Sequence, residues 1–151
     1  LTHLVRRFFG SLRARSLTPY EQAEVHDALE RDLRRLFFAQ AVPDQRHAFE
    51  VAKRAGGGSE RTEAALLHDV GKTVSDLGAF SRSFATICAV IGVPVRGDWL
   101  TYVHHGDIGA HMLEAAGAGQ LTVSFALSHP GPVPEGIDPT DWRALAVADD
   151  A

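Results

Sequence analysis

The stretch "AALLHDVGK", residues 64–72, decides how this chain is read. Ala64, Ala65, Leu66 and Leu67 suit a helix packed in an interior, and His68-Asp69 follows them with no polar spacer. A carboxylate taken out of water without a partner is costly. The pair is therefore either a solvated helix end or a pair of groups meeting something positive in the core. Gly71 and Lys72 close the stretch.

Outward from it, helix signals dominate in both directions. Ser59 opens the helix that carries His68-Asp69, with Glu63 in its first turns. Gly56-Gly57-Gly58 before it is a helix stop, because no strand precedes it and no Gly-Lys-Ser/Thr follows, as a phosphate loop would require. Asp44 caps a helix through "QRHAFEVAKRA". Thr18, Pro19 and Glu21 supply an N-cap, a first-turn proline and a capping-box acid for a helix running to about Gln40, broken by Val42-Pro43. Downstream, an apolar helix is expected from roughly Val74 to Ile91. "DWLTYVHHG" and "DIGAHMLEAAG" read as two short helices around Gly106. "QLTVSFALSHP" is open between strand and helix, because Leu-Thr-Val-Ser-Phe alternates. Pro130 and Pro132 end it, and Asp138-Pro139 opens a last helix through "WRALAVADDA". The fold class is all-α.

Bulk properties narrow the function. The 151 residues are 45% hydrophobic, enough for one domain with a real core. A formal charge of -4 argues against a partner that is a nucleic-acid polymer. The single cysteine, Cys88, lies in "FATICAVIG" and reads as a buried, inert thiol of a reducing compartment. No apolar run reaches the roughly 20 residues of a membrane span, so no stable membrane insertion is expected. The start, "LTHLVRRFFGSLRARS", carries four arginines and no acid among its first fifteen residues. It reads as an amphipathic surface helix, or else as a docking segment. The expected location is cytoplasmic.

Eight histidines matter by position rather than number. His47 shares a helical stripe with Val51 and Ala55, the face expected to be buried, where a lone histidine is more often a satisfied core residue than a ligand. His68 and Asp69 end one apolar run, His129 lies just past "VSFAL", and Asp149 follows "ALAVA". Five good metal ligands thus sit at the inner edges of apolar stretches on separate helices, which points to one shared site. His104 and His105 are neighbours, and residues adjacent on a helix diverge by about 100°, so one of them points inward. His3, His26 and His111 have polar or terminal surroundings and read as surface residues.

This order of residues resembles the HD superfamily of metal-dependent phosphohydrolases, named for its adjacent His-Asp pair. "HDVGK" is similar to the His-Asp-Ile-Gly variant of that family. "HGDIGAHML" resembles the His-Gly-x-x-Gly-Ala segment of the bacterial HD-type diadenosine tetraphosphate hydrolases, and "LAVADDA" resembles their late Ala-Asp segment. The cyclic-di-GMP phosphodiesterase branch has a Gly-Tyr-Pro signature where this chain has His129-Pro130-Gly131-Pro132, which points away from that substrate. The resemblance covers residues 44–151 as an HD domain, a helical bundle around a metal site, and leaves 1–43 as an N-terminal helical extension.

The resemblance implies His47, His68, Asp69, His105, His129 and Asp149 as metal ligands. One ion would take His47, His68 and Asp149, a second His105 and His129, and Asp69 would bridge. Four imidazoles and two carboxylates suit divalent transition metals, iron or manganese first, then cobalt, nickel or zinc. Water held by such ions deprotonates near neutral pH and can attack phosphorus. The implied reaction is hydrolysis of a phosphoester or phosphoanhydride in a small phosphorylated metabolite such as a nucleotide. Asp69 and Lys72 are the catalytic candidates; Lys72 either contacts phosphate or is a solvated helix-end cation. His104 and Arg46 adjoin implied ligands and either face substrate or serve structure. Mixed-valent di-iron oxygenases of the same superfamily use the same ligand order, and a non-catalytic, metal-pinned binding module is a third reading. Oligomeric state stays open.

Overall fold

The computed structural model describes residues 15–74 and 105–151, and within them the chain is all-helical. Beyond Val74, the helix expected to run to Ile91 lies outside the described residues, as do Cys88, His104 and the basic start at residues 1–14. The helices are α1 (Pro19–Ala28), α2 (Arg31–Ala39), α3 (Val42–Ala55), α4 (Ser59–Leu67), α5 (His105–Ala115), α6 (Gln120–Ser128) and α7 (Pro139–Asp150), with a 3-10 turn at Val70–Val74 after α4. Among the described residues no helix is long and apolar enough to cross a membrane.

The capping box at Thr18 forms as read. Thr18 Oγ1 accepts from the Glu21 amide at 3.3 Å, and the Glu21 carboxylate accepts from the Thr18 amide at 2.7 Å. The single helix expected to reach Gln40 is instead two helices, because Leu29 turns extended at φ −117°, ψ 134°. Val25, Leu29, Leu33 and Phe37 are all buried in one core. On a straight helix, four-residue steps drift by about 40° each, which would fan these side chains apart. The break brings them together, and Arg34 closes it by donating to the His26 carbonyl at 2.9 Å.

Two other boundaries also differ from the sequence reading. Val42-Pro43 starts α3 instead of separating helices, since a first-turn proline gives up an amide that has no partner there anyway. "QLTVSFALSHP", open between strand and helix, is helical over α6, with Leu121, Thr122, Phe125 and Ala126 buried at helical spacing. The segments around Gly106 belong, from His105 onward, to one helix. Gly106 and Gly109 permit its close approach to its neighbours. A Cβ at Gly106 would lie 2.9 Å from the Ala126 carbonyl oxygen, and one at Gly109 3.1 Å from the Gly71 nitrogen. Asp138 caps α7 as expected, accepting from the Thr140 amide at 2.6 Å.

α4 is the central element. Ala64, Ala65, Leu66 and Leu67 are all buried, and α3, α6 and α7 pack around the helix. Each fully buried leucine contributes about 1.5–3 kcal/mol relative to an exposed one. Neighbouring helices are fixed to α4 by polar ties. Glu63 Oε1 accepts from the Gly119 amide at 2.9 Å and from Thr122 Oγ1 at 2.8 Å, capping the start of α6 from outside. Arg61 pairs with Asp141 of α7 at 2.8 Å, and Gln40, beyond α2, donates to the Leu66 carbonyl at 3.2 Å.

Candidate metal centre

The ends of α4, α6 and α7 and the middle of α3 converge on one cluster. His47 comes from α3, His68 and Asp69 from just past α4, His129 from just past α6, and Asp149 from the last turn of α7. Asp149 is the hub. Its Oδ1 lies 2.7 Å from His47 Nε2 and 3.5 Å from His68 Nε2, and its Oδ2 lies 3.0 Å from His129 Nε2. Asp69 Oδ2 is 3.4 Å from His68 Nε2 and also accepts from Lys72 Nζ. His68, Asp69, Lys72 and Asp149 are buried, while His47 is half-buried. One ligand atom each from His47, His68 and Asp69 falls within a common 4.8 Å, so the group could hold a metal ion.

The orientation of His68 is set by the backbone. Its Nδ1 lies 2.8 Å from the Ala65 carbonyl, which can only accept, so Nδ1 carries the hydrogen. In the neutral ring, Nε2 then presents a lone pair. That atom is fully buried and has no hydrogen-bond partner among the described residues, with carboxylate oxygens on two sides. An aligned imidazole whose second nitrogen is fixed by a carbonyl is the usual arrangement of a metal-ligating histidine. The donor set, imidazole nitrogens with carboxylate oxygens, fits a divalent transition ion.

The electrostatics point the same way. Burial would raise the pKa of Asp149, but hydrogen bonds from His129 and His47, with the charge of the neighbouring His68 ring, hold its carboxyl far below the ordinary range. Burial favours neutral His68, yet the charges of Asp69 and Asp149 raise its pKa above the usual value. The cluster favours positive charge at this point, whether a proton or a cation.

Sequence leaves Lys72 as either a phosphate contact or a solvated helix-end cation; in the fold its ammonium is buried against Asp69. Arg46 is not brought to the cluster. Its guanidinium grips both Glu21 oxygens at 2.8 Å and the Arg15 and Ser16 carbonyls, tying α3 to the start of α1. His105 is the first residue of α5; its side chain lies outside the described part, as does His104. His26 and His111 are exposed, as their polar neighbours suggested.

Arg54, which bonds the carbonyl next to Asp149, does not stand out in the sequence, nor do the ties that Glu63, Arg61 and Gln40 make between α4 and its neighbours. Arg54 follows His47 by seven residues, two helical turns, so its place on the same stripe was available as a signal. The ring of Phe125, stacked on His129 with centroids 4.4 Å apart, was read only as part of an apolar run.

Comparison with protein-family models, curated proteins and solved structures finds no match. The class that fold and site define is an all-α protein with a buried His/Asp group able to hold a metal ion.

Proposed function

We propose that this chain is a metal-dependent phosphohydrolase of the HD type, acting on a phosphoester or phosphoanhydride of a nucleotide or another small phosphorylated metabolite. The observation that carries the metal is the buried His68 Nε2, without a hydrogen-bond partner among the described residues and held between Asp69 and Asp149. His47, His68, Asp69 and Asp149 would hold an ion there. The resemblance adds His105 and His129 for a second, with iron or manganese the first choices. When bound, such ions lower the pKa of water and stabilise charge on phosphoryl oxygens. The chain's own groups supply the frame. The Ala65 carbonyl fixes the His68 ring, His47 and His129 orient Asp149, and Lys72 sets Asp69.

The burial of Asp69, His68 and Asp149 supports a second reading, a non-catalytic module in which the ion is a structural pin. One experiment separates the readings: metal analysis of protein purified without chelator, then a phosphoester panel under anaerobic conditions. Two ions per chain with phosphate release are expected. Metal without turnover favours the pin, oxygen consumption with an organic substrate favours the oxygenase reading, and protein without metal overturns all three.

A further inference from the structure

We infer that Arg54 is a positioning residue for the metal ligand Asp149, an inference that rests on the metal reading above. Asp149 is carried by α7, and its place there is held from outside that helix. Arg54 Nη1 donates to the Ala148 carbonyl at 2.8 Å, the carbonyl immediately before Asp149. Its Nη2 is braced by Glu50 Oε2 at 3.1 Å, one turn earlier on α3. The same helix presents His47, which reaches Asp149 Oδ1 at 2.7 Å. Thus α3 grips the Ala148–Asp149 segment twice, once on the backbone and once on the carboxylate. Two points of attachment fix both the position of the Asp149 backbone and the direction of its side chain, which is what an outer partner of a metal ligand does.

The test is Mn2+ affinity measured by titration calorimetry, beside the unfolding midpoint of the metal-free protein. Arg54→Ala is expected to weaken Mn2+ binding by about 10–100-fold, the usual cost of losing such a partner. Arg54→Lys, which keeps one donor, recovers most of it. Arg54→Met retains the apolar stem and removes only the donors, and gives the same reading if the alanine variant does not fold. Arg61→Ala breaks the Arg61–Asp141 pair at the opposite end of α7 and is expected to lower the unfolding midpoint with Mn2+ affinity unchanged. Wild-type affinity in Arg54→Ala and Arg54→Met, or an equal loss in Arg61→Ala, overturns the inference with the metal reading intact. A wild-type protein that takes up no Mn2+ overturns the metal reading itself.

Discussion

His68 shows how much one side chain can be asked to do. It ends the central helix, donates to Ala65 behind it and turns a buried nitrogen toward Asp69 and Asp149. Substituting His68 with alanine is expected to abolish Mn2+ uptake in calorimetry, whereas the same change at exposed His26 leaves it intact. Uptake in His68→Ala equal to wild type would remove His68 from the ligand set. The place of this residue in the cluster, with Asp69, His47, His129 and Asp149, was legible in the sequence because a titratable group at the edge of an apolar run departs from binary patterning. Partners were not legible. Nothing local to Lys72 or Arg46 says that one bonds Asp69 and the other Glu21, since those choices depend on how distant turns meet.

At the scale of elements, the cap signals at Thr18 and Asp138 located α1 and α7 because they act over three or four residues. The division between α1 and α2 carries no glycine or proline and follows from what the core needs. Pattern alone also left α6 open, because tertiary burial chose between two periods that a short apolar run satisfies equally. The tie between α1 and α3 has a pH signature. Hydrogen bonds from Arg46, followed by that from the Thr18 backbone, lower the Glu21 pKa from 4.5 to about 2. A carboxylate with a depressed native pKa stabilises fully above its unfolded pKa and loses that contribution as pH falls toward the native one. The stability difference between wild type and Glu21→Gln is therefore constant above pH 4.5 and shrinks between 4.5 and about 2. Denaturant titrations across that window check it, and a difference that grows on acidification would contradict the pairing.

For the molecule as a whole, the cluster draws on helices far apart in sequence, His47 and Asp149 being 102 residues apart. Such a constellation exists only in the folded chain, so a bound cation adds its binding free energy to folding. Mn2+ at a hundred times its dissociation constant is expected to stabilise the protein by about 2.7 kcal/mol. The rise in thermal midpoint should disappear in Asp149→Asn. A midpoint insensitive to Mn2+ would mean that the acids and imidazoles satisfy one another unaided. The all-α class was readable at this scale from repeated caps and helical periodicity, and so was a shared site for the buried histidines and acids; that Asp149 would be its hub was not, because that is a property of the packing.

The bond from Glu63 to the start of α6 also restricts where this chain can change in length. Glu63 pins Gly119 and Thr122, and His129 lies at the far end of the same rigid rod. Adding one residue between these points would swing the imidazole by about 100° and carry it off Asp149. The Pro130–Ile137 connection can absorb extra residues without that rotation. Spacing within α6 is thus held by geometry, and drift in size is left to the loop that follows it.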